Sequence, residues 1–491
     1  MNTRVIKFKS EIGSGAIRRF AVLSSALMLG ACSVTQVDAP SSVTVPAEFE
    51  QVSSQAGMSV EQQDAAQASL QQWWRSWQDP VLSQLIETAF MGNFDLQIAQ
   101  SRLAESQATS GLARADMGPQ VGMRAGAAWM GVQFDEDTEK IYGNVAYMGF
   151  SASWEPDIFG AKRSDADAAQ AAALAEQERV YGSQLMLSSQ LADHYVQLRS
   201  LENRMRIYDA NSRSLKELLR YTQGRFNAGH VGADVVAQVR SGVSGLDAQR
   251  ATLQAQRDMH ERSIAVLSGQ VPQGFRVPKS TVPILHRLPA APQGQTPGAV
   301  LERRPDVRAK ARAVEARAAQ VASAKADLLP RFSINFLDNL GRLELNGDAI
   351  PAIWNSARIL SVGMTLPIFT AGRIQRNIEA SDARLRTAAL EYDQNILQAL
   401  SEVDSLYQLQ HSLQQQNKAL AQSLSQKRTQ ADGAYKLFQY GQKTLDEAIR
   451  ARLETYDIED KQSQGQLAQA QNLLNLYKAL GGGWSVATPS Q

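Results

Sequence analysis

Proline is absent from residues 157–271 and again from residues 368–488, runs of 115 and 121 residues in a chain of 491. A proline inside a helix removes a backbone hydrogen bond and clashes with the preceding turn. Proline-free runs rich in alanine, glutamine and leucine therefore predict long helices. Residues 160–226 and 372–438 are each 67 residues long, and at about 1.5 Å per residue they make rods of about 100 Å. No globular core calls for such a length. In the second rod Ala399, Val403, Leu406, Gln410, Leu413, Asn417, Leu420 and Leu424 follow an alternating spacing of four and three, apolar except at Gln410 and Asn417. This is a coiled-coil seam, although a plain antiparallel bundle packs the same way.

The two rods belong to two copies of one pattern. Ala115, Asp116 and Pro119 recur as Ala326, Asp327 and Pro330. Ile158, Phe159 and Arg163 recur as Ile368, Phe369 and Arg373, and Phe226, Gly229, Asp234 and Arg240 recur as Phe438, Gly441, Asp446 and Arg452. One offset held across three separated blocks indicates duplication, each half supplying a short helix, a strand hairpin, a long rod, a tight turn and a returning helix. The expected organisation is a signal segment over 1–31, an N-terminal segment over 32–72, a first repeat over 73–275, a linker over 276–300, a second repeat over 301–484 and a tail over 485–491.

Arg4, Lys7, Lys9, Arg18 and Arg19 precede an apolar run over 20–31 that is too short to span a bilayer. That layout is a secretory signal. The chain's one cysteine, Cys32, follows Leu29, Gly30 and Ala31 directly, as in a bacterial lipobox, where the cysteine receives a diacylglycerol thioether and the preceding peptide is removed. The alternative is a stray buried thiol. Ser33 after the cysteine resembles the pattern of lipoproteins sent to the outer membrane. No internal disulfide is possible.

After residue 31 no stretch approaches the roughly 20 apolar residues of a spanning helix, so passage through a membrane must use strands. Four segments alternate. Val121, Met123 and Trp129 oppose Gly122 and Arg124. Met148, Phe150, Ala152 and Trp154 alternate with Tyr147, Gly149, Ser151 and Ser153. Phe332, Ile334 and Phe336 oppose Ser333 and Asn335, and Leu360, Val362, Met364 and Leu366 alternate with Ser361, Gly363 and Thr365. These predict two hairpins, with strands at about 120–130, 145–155, 331–339 and 358–368. A half-buried soluble sheet gives the same alternation. If the strands do span, four cannot close a barrel, since the smallest has about eight, and several chains must pool them.

The segment QQWWRSWQDPVLSQLIETAF with Asn93, the ERRPDV block at 302–307, LPIFTAGR at 366–373 and LYKALGGGW at 476–484 together resemble the TolC and OprM-like outer membrane factors, most of all their lipidated NodT-type branch. The resemblance runs from Trp73 to Trp484. It implies a mainly α fold with a membrane β-barrel: a homotrimer in which four strands per chain form a twelve-stranded barrel, continued through the periplasm by a helical coiled-coil barrel. It further implies a periplasmic adaptor and an inner-membrane transporter, of the RND type, as partners. On this reading Trp129, Phe150, Trp154, Phe336, Leu360, Val362, Met364 and Leu366 face outer-membrane lipid, and Cys32 carries the anchor.

The same resemblance places the adaptor-docking tip at two matched turns, Ala228-Gly229-His230 and Tyr440-Gly441-Gln442, where a tight reversal favours glycine. Asp446 falls where the family has an aperture aspartate, with a spacing from Gly441 one residue shorter than usual. Ile449 stands where a second aspartate is expected, which puts a double carboxylate ring in doubt. A threefold axis makes Asp446 a ring of three charges, favouring cations and needing compensation by ions or by bases such as Lys443. The competing reading is that Asp446, Glu447 and Asp234 favour the positive end of a helix. For Glu447 and Asp234 that reading is preferred. Phe438 is either an apolar pore ring or packing.

Nothing points to catalysis. His194, His230, His260, His286 and His411 lack helical-turn spacing, and no lysine-serine or lysine-threonine pair follows Gly481, Gly482 and Gly483. No metal and no cofactor beyond the lipid on Cys32 is expected. A net charge of +1 with interleaved signs gives no footprint for nucleic acid. The function expected is passive export of drugs or small toxic compounds from a Gram-negative cell. The rivals are a duct for type I protein secretion and a coiled-coil lipoprotein without a pore.

Overall fold

The computed structural model describes residues 41–50, 70, 72–133, 141–345 and 353–482. Cys32, Gly483 and Trp484 lie outside the described residues. The chain is mainly helical with four antiparallel strands. A 3₁₀ turn, Trp73–Trp77, leads into α1 (Pro80–Gly92) and α2 (Phe94–Ala115), the hairpin β1 (Gln120–Val132) and β2 (Ile141–Trp154), the long helix α3 (Ala161–Asn227) and the returning α4 (Ala233–Leu267). The second half repeats the order with α5 (Pro297–Arg303), α6 (Pro305–Ala326), β3 (Arg331–Leu345), β4 (Ile353–Thr365), α7 (Arg373–Gln439) and α8 (Leu445–Ala479). Both long helices have 67 residues and both returning helices have 35.

In space the halves interleave. One compact unit takes Glu105–Ala173 and Arg312–Leu390, and so holds both hairpins. The other takes Ser41–Ala104, Leu174–Ala311 and the chain from Glu391. Duplication in the sequence thus becomes two units that each draw on both repeats, because each copy of the hairpin completes its hydrogen bonding on the other.

The hairpin unit holds one four-stranded sheet in the order β1-β2-β3-β4, every neighbour antiparallel. Strand β3 runs to Leu345, six residues past the expected end, and β4 begins at Ile353, five before the expected start. Asp338, Arg342 and Arg358 interrupt the apolar alternation there. Ladder partners carry the strands on past these charges: Arg358 Nε lies 3.3 Å from Asp338, and the Arg342 guanidinium sits 5.5 Å from the Trp354 ring centroid.

The core of the other unit gathers Trp73, Trp77, Leu82 and Ile86 against Leu191 and Tyr195 of α3 and Leu473, Leu476 and Tyr477 of α8. Trp73 is fully buried and stacks on Tyr477 with ring centroids 5.4 Å apart. Asp79 caps α1 by accepting from the backbone of Val81, and Asn93 caps α2 by accepting from Leu96 N at 2.9 Å while donating to Leu267 O at 3.0 Å. The seam on α7 meets α8. Ala399, Val403, Gln410 and Leu424 are buried. Its two polar members are matched: Asn472 donates to Gln410 at 2.9 Å, and Asn417 donates to Gly465 O at 3.0 Å and to Gln469 at 2.7 Å. A Cβ on Gly465 would stand 2.3 Å from the Asn417 amide oxygen, so a larger residue there would displace the Asn417 amide from its bonds.

Candidate functional site

Residues paired across a ladder project to the same face, so strand register decides which side chains share an environment. Met123 pairs with Phe150, Trp154 with Ile334, and Phe336, Ile334 and Phe332 pair with Leu360, Val362 and Met364. Following these pairs, Trp129, Phe150, Trp154, Phe336, Leu360, Val362 and Met364 all lie on one face, which Asp338, Arg342, Glu344 and Arg358 share toward the hairpin ends, so its continuous apolar part is the half nearer the start of β3 and the end of β4. Each is at least 40% exposed in the isolated chain, an apolar surface that water would penalise. Leu366 lies beyond the end of β4 and outside the ladder; Pro367 follows it and cannot donate to a continuing ladder. The other face carries Arg124, Tyr147, Ser151, Asn335, Asn339 and Ser361, with Val145, Leu337, Leu343, Leu345, Ile353 and Ile359 among its apolar members. Among the described residues no helix is long and apolar enough to cross a membrane.

The matched turns close identically. Gly229 N donates to Phe226 O and His230 N to Arg225 O, at 2.9 and 2.8 Å. Gly441 N donates to Phe438 O and Gln442 N to Leu437 O, both at 2.9 Å. This is the Schellman pattern of a helix C-terminus, and it places glycine where φ is positive, +77° at Gly229 and +73° at Gly441. Ala228, Gly229, His230, Tyr440, Gly441 and Gln442 are all exposed, Tyr440 to 80%. Phe438 is half-buried beside Tyr435, their ring centroids 6.0 Å apart.

The residues after the second turn divide by role. Glu447 completes a capping box: its carboxylate accepts from Thr444 N at 2.8 Å, and Glu447 N donates to the Thr444 hydroxyl at 3.3 Å. The Thr444 backbone and hydroxyl bonds hold this carboxyl below its ordinary pKa. Asp446 is half-buried and accepts from Arg450 Nε at 2.9 Å. The base beside Asp446 within the chain is thus Arg450, one helical turn on, rather than Lys443, which is exposed. Ile449 is 2% exposed and packs with Leu215, Leu218 and Val239. An apolar pocket between α3, α4 and α8 explains why no second carboxylate stands there.

Two groupings escape a reading by local spacing. His194 and His260 are 66 positions apart, yet their Nδ1 atoms lie 2.9 Å apart between α3 and α4. One nitrogen donates and the other accepts. Burial lowers both pKa values, His194 lowers that of His260 further, and Asp193 opposes the shift. Among the described residues no group of three or more histidine, cysteine or carboxylate side chains is placed to hold a metal.

The second grouping joins the ERRPDV block at 302–307 to the end of α8. Arg304 forms a bidentate pair with Asp306 at 3.0 and 2.9 Å, reaches Glu402 at 2.8 Å and donates to Ala479 O at 3.0 Å. Arg303 donates to Gln295 at 2.9 Å and to Leu480 O at 3.3 Å. These arginines collect the carbonyls at the end of α8 that have no helical partner. Burial works against the charge of Arg304, but its carboxylate partners raise its pKa. Asp306, which burial alone would raise, is held below its usual value by Arg304.

A sheet with one face apolar over half its height and two open edges, in a chain that also carries two long helices each followed by a returning one, fits a membrane-strand channel subunit. The family model for "Outer membrane efflux protein" matches the chain twice, over residues 85–270 and 296–482, and the chain belongs to that family. Its function is that of an outer-membrane channel component of efflux pumps. The pyoverdine export outer membrane protein OpmQ of Pseudomonas aeruginosa is 27% identical over 96% of this chain and 98% of its own length. The cation efflux system protein CusC of Escherichia coli K12 is 25% identical over 93% and 98%. Among solved structures, the outer-membrane channel OprN superposes with a TM-score of 0.77 at 26% identity, covering 91% of this chain and 98% of that one.

Proposed function

We propose that three copies of this chain form a lipid-anchored duct that carries small toxic molecules out of a Gram-negative cell, working with a periplasmic adaptor and an RND-type inner-membrane transporter. The observation that carries the reading is the sheet. β1 and β4 are its two edges, 13 residues each, and they run antiparallel to one another. An edge of that length presents a row of unpaired N–H and C=O groups that lipid cannot satisfy. Pairing β4 of one copy with β1 of the next continues the alternation of directions without a break, and three copies of four strands give a twelve-stranded barrel whose apolar face meets lipid. The long helices then continue the wall as a helical barrel across the periplasm, and the exposed turns at Gly229 and Gly441 offer the adaptor its docking tip. The coiled-coil spacer without a pore leaves both sheet edges unexplained, and the relatives' printed roles in export and efflux weigh against a route for secreted polypeptides.

At the turn end of the helices, Asp446 and its counterparts around a threefold axis form a ring of three carboxylates with Arg450 behind it. Like charges gathered around an opening repel unless compensated, so the ring favours cations to the extent that Arg450 leaves its charge unpaired. Asp446→Ala raises the resting conductance of the purified protein in planar bilayers several-fold while leaving the trimer intact by native mass. An unchanged conductance in an intact trimer reduces Asp446 to a helix-terminus charge held by Arg450. A wild-type protein that is monomeric and non-conducting removes the channel reading altogether.

The lipid belongs on Cys32. Residues 41–50 lie along α7 in its own direction, from Asp393, which accepts from the Ser41 hydroxyl at 2.7 Å, to Tyr407, whose ring stands 6.4 Å from Phe49. Two acyl chains in addition to a barrel make a durable anchor. Radiolabelled palmitate added to growing cells labels the wild-type protein and not Cys32→Ser; label retained by the variant would refute the assignment.

A further inference from the structure

The duplicated pattern gives each hairpin the same apolar pair just after its second strand, Ile158-Phe159 after β2 and Ile368-Phe369 after β4. The first pair has found a partner. Phe159 lies against Phe332, the second residue of β3, with ring centroids 6.4 Å apart, and is 36% exposed. The second pair has none among the described residues: Ile368 is 93% and Phe369 88% exposed. Phe159 meets the strand that follows β2 in the sheet, and no strand follows β4. The position matching Phe332 in the first repeat is Val121, the second residue of β1, and it is 73% exposed on the opposite open edge. One sheet thus carries an unfilled apolar projection at the foot of one edge and an unfilled apolar acceptor at the foot of the other, in the arrangement already joined once at its centre.

We infer that Ile368 and Phe369 of one subunit dock on Val121 of the next copy, so that the β4–β1 junction between chains repeats the β2–β3 junction within a chain. The inference rests on the proposed closure of the sheet by further copies and adds what locks its foot. By the same correspondence Met364 stands opposite Met123 of the neighbour, since Trp154 stands opposite Ile334, which keeps the apolar face continuous across the junction. One feature is not repeated. Within the chain Glu155 and Arg331 lie 3.7 Å apart across the foot of β2 and β3, whereas their counterparts, Thr365 and Gln120, carry no charge. The contact between chains is therefore held by apolar burial and strand hydrogen bonds, neither of which salt screens.

The test uses the full chain in outer-membrane extracts. Phe369→Cys combined with Val121→Cys, treated with a short bis-maleimide, yields covalent dimers and trimers on denaturing gels. Each single variant yields none, and Phe159→Cys with Phe332→Cys links within one chain and yields no ladder. In parallel, Phe369→Ser lowers the temperature at which the detergent-purified trimer dissociates, by a shift that does not change with salt. A native trimer that gives no ladder from the double variant overturns the inference while the trimer reading stands. The same follows if Phe369→Ser dissociates at the wild-type temperature, or if a lipid-soluble photoprobe labels residue 369 within the intact trimer. Absence of any trimer by native mass in the wild type fails the closure reading instead.

Discussion

Val362→Arg abolishes assembly of the chain in the outer membrane, whereas Ser361→Arg, one residue away, leaves assembly intact and alters conductance. Val362 pairs with Ile334 and shares its face with Phe336, Leu360 and Met364; Ser361 pairs with Asn335 on the other face. A one-residue step along a strand reverses the side on which a group projects. A guanidinium on the lipid face costs up to about 2–4 kcal/mol in each copy, less toward the interface, while one facing a wet lumen costs little and adds to its field. Fractionation of outer membranes for each variant, followed by single-channel recording of whatever inserts, separates the two. Equal insertion of both variants, or loss of Ser361→Arg alone, would reverse or remove the assignment of faces.

Arg304→Ala destabilises the helical unit by about 1–3 kcal/mol: removing one member of a hydrogen-bonded ionic group leaves its partners behind, but Asp306 and Glu402 are 48% and 37% exposed, so water takes up part of the loss. The Arg304 side chain is 12% exposed. It is the common donor for Asp306, Glu402 and the carbonyl of Ala479, and without it two carboxylates lose their cation and a helix-end carbonyl loses a donor together. Arg304→Lys recovers part of the loss, since an ammonium reaches these oxygens as a point charge but cannot pair bidentately with Asp306. There is a pH signature. Asp306 is held below its ordinary value in the folded chain, so its contribution is fully present above the unfolded carboxylate pKa and disappears as pH falls through the folded one. Denaturant unfolding of the detergent-purified protein measures both effects. A loss below about 1 kcal/mol, the level of an ordinary surface substitution, would deny Arg304 this role.

Much of the architecture was legible locally. Residues 160–226 and 372–438 were read as rods from missing proline and composition, and the helices run Ala161–Asn227 and Arg373–Gln439. Seven of the eight side chains expected on the lipid face share one face of the sheet, because a period of two is a property of each strand by itself. Leu366 falls outside the strand because alternation continues in the sequence beyond the point where Thr365 ends the ladder. The extension of β3 to Leu345 was missed for the opposite reason: charges at 338 and 342 break the pattern, and only the partners across the ladder keep those residues extended.

The candidate site divides the same way. Gly229 and Gly441 announce their turns because a positive φ restricts the residue type, and the capping box of Thr444 and Glu447 is a local motif. The hydrogen-bonded histidines at 194 and 260, the choice of Arg450 rather than Lys443 beside Asp446, and the convergence of Arg303 and Arg304 on the end of α8 are not local. They depend on where distant segments come to rest.

The sequence by itself determined the period of each element, the duplication and the positions of the turns, since these follow from backbone sterics and from side-chain spacing within a few residues. Only the tertiary structure decided which halves interleave, which charges meet and which edges stay open. Those outcomes are settled by burial and hydrogen bonding between segments tens to hundreds of residues apart, and no short window of sequence contains both partners.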